Sequence, residues 1–209
     1  TGGSMYDFFP LPEGRLAVMI ADATGHGIGP ALIVSQARSV LRAIADGQAS
    51  PGAMLSRLND LLCEDLPSDK FVTLCLGILD PSRHRLDYVS GGHGPQLHFS
   101  PKKDEVRAYN ATGLPLGIMP SMHIDDAQPI AFEPGDLFVM ITDGFLEWCG
   151  PEGGQYGNDR LAAVLRRHHE EPCDRIIRLI YQDVLDYCQG TPQADDLTAI
   201  VVKRCNENF

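Results

Sequence analysis

The segment at residues 16–29, LAVMIADATGHGIG, constrains the fold more than any other stretch of the chain. Its apolar run predicts a β-strand that ends at the carboxylate of Asp22, and a turn with three glycines follows before Pro30 opens a helical pattern. Glycines in such a turn allow the backbone to come close to a ligand. The segment therefore predicts a strand that presents an acid at the edge of a sheet, where it can hold a cation or a reacting group.

Two other strand patterns also carry an acid at one end. The run LFVMITDG at residues 137–144 ends at Asp143, and Asp195 and Asp196 precede the run LTAIVV. We expect these acids to converge on one point, where carboxylates would bind hard cations such as Mg²⁺ or Mn²⁺. Two such metals about 4 Å apart support hydrolysis of a phosphate ester. The alternative stays open, because a lone Asp-Gly is commonly a turn and an Asp-Asp pair is commonly solvated.

Size and charge limit the classes of protein to consider. A chain of 209 residues with 44% apolar residues suits one globular domain with a full core. The net charge of −11 argues against nucleic acid or an anionic membrane as the main partner. Six cysteines without a C-x-x-C pair indicate reduced core thiols and a cytoplasmic protein. The sequence carries no pattern of a signal peptide or a membrane span.

The order of the predicted elements indicates an α+β fold. Many short strands are joined by hairpin turns, which favours antiparallel sheets, and amphipathic helices form one pair at residues 30–46 and 51–63 and another after residue 157. Gly47 is the expected end of the first helix. The run at residues 71–79 is apolar on both faces and predicts a central strand, and a short strand is expected within residues 122–132. The fold class predicted is an αββα sandwich, with two stacked antiparallel β-sheets flanked by helix pairs.

Eight short motifs follow one another along nearly the whole chain. They are GGSMYDFF at residues 2–9, IADATGHGIGPAL at 20–32, FVTLCLGILD at 71–80, GGHGP at 91–95, GLPLGI at 113–118, GDLFVMITDGFLE at 135–147, QYG at 155–157 and ADDLTAIVV at 194–202. Each is weak alone, but their order is specific. By these motifs the sequence resembles the SpoIIE/RsbU branch of the PP2C-type (PPM) serine/threonine phosphatases.

The resemblance implies a metal-dependent phosphatase. Two Mn²⁺ or Mg²⁺ ions are expected, with Asp22 as the bridging ligand, the Ala23 carbonyl assisting, Asp143 and Asp195 completing the first metal, and Asp196 beside it. A metal-activated water would attack phosphoserine or phosphothreonine. The implied substrate is a phosphorylated anti-sigma-factor antagonist of the STAS type. Residues 1–209 would form a single PP2C-like domain excised from a longer bacterial regulatory protein, controlled by an upstream sensor or receiver domain through its first two helices. Homodimer formation is left open.

One position departs from the family pattern. The opening motif of the family carries a metal-ligand Asp where this chain has Ser4. A hydroxyl is a poor ligand for a hard dication, so the second metal site and the activity are expected to be weakened. The alternative is a catalytically silent PP2C-like module that binds a regulatory partner. The remaining polar candidates are interpreted as turn, packing or solvated residues: Asp7, His26, His93 and Glu147.

Overall fold

The computed structural model describes residues 2–45, 49–193 and 195–205. Along the chain the elements are β1 (Ser4–Leu11), β2 (Arg15–Ala23), α1 (Ile28–Ile44), α2 (Pro51–Asp65), β3 (Val72–Asp80), β4 (Arg85–Gly91), β5 (Gln96–Ser100), β6 (Glu105–Tyr109), β7 (Ile130–Ala131), β8 (Leu137–Ile141), α3 (Asp143–Leu146), α4 (Gly157–His168), α5 (Cys173–Cys188) and β9 (Ala199–Lys203). The helix end predicted at Gly47 lies outside the described residues.

The chain divides into two compact units. The first comprises residues 1–94 and 110–132, and the second comprises residues 95–109 and 133–209. Each unit contains one antiparallel sheet and one pair of longer helices, as the alternation of hairpins and helix pairs predicts. The assignment of residues 1–209 to a single domain stays a prediction.

The sheet of the first unit has the strand order β1-β2-β3-β4-β7. β3 therefore lies in the middle, which confirms the prediction drawn from its apolar character on both faces. One face of this sheet packs against α1 and α2 in a single apolar cluster, to which Val34 and Leu41 of α1 and Leu55 and Leu58 of α2 contribute fully buried side chains. β2 is anchored by this core along its whole length, so Asp22 stands at the end of a rigid strand.

The helix termini follow the capping signals of the sequence. Ser50 is the N-cap of α2, where its hydroxyl accepts a 3.3 Å hydrogen bond from the amide of Ala53, and Pro51 takes the first helical position. α1 begins at Ile28, two residues before the predicted start at Pro30. The glycine turn between β2 and α1 is therefore shorter than the sequence pattern suggested.

The second unit repeats this plan with the strand order β6-β5-β8-β9. α4 and α5 pack on this sheet, and their buried side chains, including Leu161 and Ile180, join Val139 and Ile141 of β8 in a second apolar cluster. β8 pairs with both β5 and β9, so it is central in its sheet. Asp143, which follows β8, is thus also presented by a strand anchored on both sides.

The strand expected within residues 122–132 is almost absent. Only Ile130–Ala131 pairs with β4, and the rest of this segment has no regular structure. Contacts with α2 hold it instead: the Ser56 hydroxyl accepts a 3.0 Å hydrogen bond from the amide of Ile124, and the Asp126 carboxylate accepts one of 2.6 Å from the backbone amide of Gly52 at the start of α2. The helix thus satisfies the backbone amide of Ile124, which a strand partner would otherwise bond.

The cysteines fit the sequence analysis only in part. All six are free thiols in this structure. Only Cys75 and Cys188 are buried, whereas Cys149 and Cys205 are exposed, so the interpretation of the set as core thiols is wrong for these two. Within the described residues, every helix is too short or too polar to cross a lipid bilayer.

Candidate metal centre

The first unit presents Asp22 at the end of β2. Asp22 lies directly opposite Ser4 in the pairing of β1 with β2, and the Ser4 hydroxyl donates a 2.9 Å hydrogen bond to Asp22 Oδ1. On the other side, the Thr73 hydroxyl donates a 3.4 Å hydrogen bond to the Asp22 carbonyl. The carboxylate is half-buried, so it remains accessible to a ligand.

The glycines at the start of the chain allow the approach of β1 to this acid. The Gly3 carbonyl accepts a 3.1 Å hydrogen bond from the amide of Ala23. A Cβ atom at Gly3 would lie 2.5 Å from the Ala23 carbonyl oxygen and 3.2 Å from Asp22 Oδ1. Any larger residue would displace the backbone there, so glycine is required by close packing. The role of the Ala23 carbonyl as a metal ligand stays a prediction.

The second unit brings two predicted ligands together. Asp143 begins α3 immediately after β8, and Asp195 lies just before β9, which pairs with β8 in an antiparallel manner. The end of β8 therefore meets the start of β9, and carboxylate oxygens of Asp143 and Asp195 lie within 4.8 Å of each other. Both side chains are exposed. Two residues that lie 52 positions apart in the sequence thus form one acidic pair.

Two neighbours fix the geometry of this pair. The Thr142 hydroxyl shares its single proton between the carbonyls of Asp196 and Thr198, at 3.2 and 3.4 Å, and it accepts a hydrogen bond of 3.0 Å from the amide of Thr198. A Cβ atom at Gly144 would lie 2.2 Å from the Asp196 carbonyl oxygen, so only glycine fits. The motif at residues 135–147 contains Thr142 and Gly144, but the sequence analysis predicted no role for either residue. Their positions directly before and after Asp143 are the sequence feature that could have predicted this role.

The donor set of the acidic pair fits a hard divalent cation. Carboxylate oxygens are the preferred ligands of Mg²⁺ and Mn²⁺, and a cation between two exposed carboxylates this close offsets the repulsion of their charges. The amide of Asp196 donates a 2.7 Å hydrogen bond to Asp195 Oδ1, which leaves Oδ2 of Asp195 for a ligand. The ligand role of Asp196 itself stays a prediction.

The sequence interpretation of Asp7 as a solvated acid is wrong. Its carboxylate is buried and forms ion pairs of 2.8 Å with Arg38 Nε and 2.5 Å with Arg42 Nε, both on α1. The hydrogen bond from Arg42 lowers the pKa of Asp7 below its ordinary value, and the charges of both arginines act in the same direction. Asp7 therefore fastens β1 to α1 and is not free to replace Ser4 as a ligand.

The structure also gives the surroundings of the other polar candidates. His93 is buried, and its Nδ1 lies 2.9 Å from the Thr73 hydroxyl, so it is a packing residue of the turn after β4. His26 lies exposed in the glycine turn after β2, and Glu147 lies exposed after α3. The roles of these three residues in the reaction stay predictions.

A family model and the curated relatives of this chain point to the same family of proteins. A family model described as Stage II sporulation protein E (SpoIIE) matches residues 12–205 of the chain. Phosphoserine phosphatase RsbU of Bacillus subtilis (strain 168) is 29% identical over 203 residues, a match that covers 97% of this chain and 59% of RsbU. The chain spans 36% and 48% of the length of two further curated relatives. It therefore corresponds to about a third to three-fifths of these longer proteins.

Solved structures agree with the fold. The SiaA-PP2C domain of Pseudomonas aeruginosa matches with a TM-score of 0.84 at 22% identity, over 97% of this chain and 80% of that chain. A structure of RsbX in complex with magnesium matches with a TM-score of 0.70 at 16% identity, over 96% of this chain and 86% of that chain. These likenesses confirm the predicted α+β sandwich class of the PP2C type.

Proposed function

Because the chain belongs to the SpoIIE family of PP2C-type phosphatases, we propose that it hydrolyses phosphoserine or phosphothreonine on a signalling phosphoprotein. In this proposal Asp22, Asp143 and Asp195 hold a common divalent cation, Mn²⁺ or Mg²⁺, with the Ala23 carbonyl and Asp196 beside it. A divalent cation bound there supplies Lewis acidity to the phosphoryl group and to water. The single observation that carries the proposal is the exposed carboxylate pair of Asp143 and Asp195, whose oxygens lie within 4.8 Å.

The surrounding residues support this assignment. Each proposed ligand stands at the end of an anchored strand, and Thr142 and Gly144 hold the backbone of Asp143 against that of Asp196. Such rigid placement avoids the entropy cost of ordering the ligands when a cation binds. The similarity to a phosphoserine phosphatase and to a magnesium-bound protein of the same fold supports both the reaction and the class of metal.

The finer features of the proposal concern partners and location. The substrate is proposed to be a phosphorylated STAS-type antagonist of an anti-sigma factor, and the first two helices, α1 and α2, are proposed to receive the signal of an upstream sensor or receiver domain. The larger size of the curated relatives supports such a domain. A cytoplasmic location is proposed, supported by six free cysteines in one chain.

Ser4 favours a second candidate function. The Ser4 hydroxyl contributes no charge to the second metal site, and it is engaged as a hydrogen-bond donor to Asp22. A PP2C-like module that lacks a carboxylate at position 4 would bind a regulatory partner without hydrolysing a phosphate ester on it. The retention of Asp22, Asp143 and Asp195 favours the enzyme over this alternative.

Hydrolysis of p-nitrophenyl phosphate separates the two candidates. We expect hydrolysis that requires added Mn²⁺ and stops on chelation with EDTA, at a low rate in the natural sequence and a higher rate in Ser4→Asp. A rate that survives EDTA would contradict the metal-dependent reaction. Absence of hydrolysis in both proteins would reject the enzyme and support the partner-binding module.

A further inference from the structure

The first strand exposes two aromatic side chains side by side. Tyr6 is 55% exposed and Phe8 is 48% exposed, and their ring centroids lie 5.6 Å apart. Scattered exposed apolar residues are ordinary in globular proteins, but an adjacent pair of large rings on one strand forms a patch. We call Tyr6 and Phe8 together the aromatic ledge.

The aromatic ledge lies on the same face of the sheet as the candidate metal ligand. Ser4, Tyr6 and Phe8 alternate along β1, so their side chains share one face, and Ser4 is paired with Asp22. Two residues of a strand span about 7 Å, which places Tyr6 about 7 Å and Phe8 about 13 Å from Ser4 along the strand. The ledge therefore runs as a straight row away from Asp22.

The ledge is not needed for the core of its unit. Phe9 and Leu11, which alternate with the ledge residues, point to the opposite face and are buried in the cluster with α1 and α2. Asp7 lies on that same buried face. Truncation of the exposed rings should thus leave this packing intact.

Addition of another strand is hindered at the Phe8 end of the ledge. The amide of Phe8 donates a 2.9 Å hydrogen bond to Asp7 Oδ1, and the Phe8 carbonyl accepts a 3.0 Å hydrogen bond from Arg42 Nη2. Pro10, two residues further on, has no amide hydrogen to donate. The backbone groups that an added strand would bond are therefore engaged or missing at two successive positions of this edge. At this end of the ledge the exposed rings, and not the strand edge, are therefore the available surface.

We propose that the aromatic ledge binds the polypeptide flanking the phosphorylated residue of the protein substrate, through an apolar side chain two to four residues away. An extended peptide advances about 3.3 Å per residue, so a phosphoresidue held at Asp22 places its second neighbour over Tyr6 and its fourth over Phe8. Ser4, Tyr6, Phe8 and Pro10 carry no charge in a chain of net charge −11, so the complement of this row is apolar. This inference rests on the proposed phosphatase function.

Phosphopeptides of defined sequence test the ledge. The probes are two fluorescein-labelled nonapeptides with a central phosphoserine. The leucine peptide carries leucine two and four residues from the phosphoserine on each side. The serine peptide, which is the reference, carries serine at the same four positions. Binding is measured by fluorescence anisotropy in Mn²⁺, and hydrolysis is measured on the same peptides and on p-nitrophenyl phosphate. The variants are the double substitution Tyr6→Ser with Phe8→Ser and a matched control, Tyr181→Ser, which removes an exposed aromatic ring from α5 that is 44% exposed.

We expect the double substitution to weaken binding of the leucine peptide about tenfold, as loss of buried aromatic contacts does. Binding of the serine peptide and hydrolysis of p-nitrophenyl phosphate should not change, and Tyr181→Ser should bind like the natural sequence. If the double variant unfolds at a lower temperature, Tyr6→Ser alone replaces it in the comparison, because Phe8 then still covers the neighbouring backbone.

The outcomes separate the ledge from the phosphatase function. Equal binding of the leucine peptide to the natural sequence and the double variant would overturn the ledge, even with hydrolysis of p-nitrophenyl phosphate intact. Ledge-dependent binding without hydrolysis of any substrate would support the ledge and reject the phosphatase. Self-association of the natural sequence that the double substitution abolishes, measured by sedimentation velocity, would assign the ledge to a second copy of the chain and overturn the substrate proposal.

Discussion

Ser4 and Asp22 face each other across β1 and β2, joined by a 2.9 Å hydrogen bond from the Ser4 hydroxyl to Asp22 Oδ1. The side chain at position 4 thus points at the acid of β2. A carboxylate in its place would stand beside that of Asp22 and offer a second set of hard oxygen ligands. The serine hydroxyl instead donates its only proton in a hydrogen bond to Asp22, and it adds no negative charge to the site.

Ser4→Asp is expected to strengthen the weaker of two metal sites. An added carboxylate should raise Mn²⁺ affinity at that site at least about tenfold, equivalent to about 1.4 kcal/mol. Isothermal titration calorimetry should show one tight and one weak site in the natural sequence and two tight sites in the variant. Ser4→Ala is the matched control, since it removes the hydrogen bond without adding charge. Two equally tight sites in the natural sequence would contradict this account of Ser4.

Asp143→Asn and Asp195→Asn are each expected to abolish tight Mn²⁺ binding. Each removes one of two carboxylates whose oxygens lie within 4.8 Å, and an amide oxygen is a far weaker ligand for a hard cation. Both side chains are exposed, so the melting temperature measured without metal should stay the same or rise as repulsion is relieved. Calorimetry and circular dichroism check the two parts. Asp159→Asn, in an exposed position of α4, is the matched control and should bind metal normally.

Asp7→Asn is expected to destabilise the first unit by about 2 kcal/mol at neutral pH, because it breaks charge-assisted hydrogen bonds from the half-exposed Arg38 and Arg42 to a buried carboxylate. The Arg42 hydrogen bond lowers the pKa of Asp7 in the folded protein. A carboxyl with a lowered folded pKa stabilises the fold above its unfolded pKa and loses that contribution as the pH falls through the folded value. The difference between natural and variant proteins should therefore shrink from pH 7 to about pH 3.

Urea unfolding at the two pH values measures this difference. Asp87→Asn, which breaks the ion pair between Arg85 and Asp87 on β4, serves as the control and should cost at most about 1 kcal/mol. A difference for Asp7→Asn that stays constant with pH would show that shape, and not charge, is what the position requires.

Asn59→Ala is expected to destabilise the protein by about 3 kcal/mol. Asn59 is fully buried in α2, where its Oδ1 accepts a 3.0 Å hydrogen bond from the amide of Gly117 and its Nδ2 donates one of 2.9 Å to the carbonyl of Met119. Alanine leaves both backbone groups without these bonds. Urea unfolding measures the loss, and Asn110→Ala, at an exposed side chain, should leave stability nearly unchanged. Equal stability of the two variants would contradict this role.

The thiols are expected to fall into separate kinetic classes with the reagent DTNB. Cys149 and Cys205 are exposed and should react first in the native protein. Burial raises the pKa of the Cys75 and Cys188 thiols and lowers their thiolate fraction, so both should react only on unfolding. Absorbance after addition of reagent, before and after urea, counts each class. Rapid reaction of Cys75 in the native protein would contradict the placement of β3 at the centre of its sheet.

Local sequence determined most of the elements of this fold. The apolar run of β3, the Ser50-Pro51 signal of α2 and the acid at the end of β2 each depend on residues that are neighbours in the chain, so periodicity and capping rules predicted them. The T-D-G motif likewise predicted a strand end with an acid. Hydrophobic periodicity and helix capping both act between residues that are close in the sequence.

Only the tertiary structure decided which distant groups meet. Asp7 appeared solvated because its partners, Arg38 and Arg42, lie more than 30 residues away on α1. In the segment 122–132, where a strand was predicted, the amide of Ile124 bonds the Ser56 side chain of α2 instead of a neighbouring strand. The role of Thr142 depended on the pairing of β8 with β9. Hydrogen bonds and ion pairs act over a few ångströms whatever the separation in sequence, so such partners are fixed by packing and not by the local pattern.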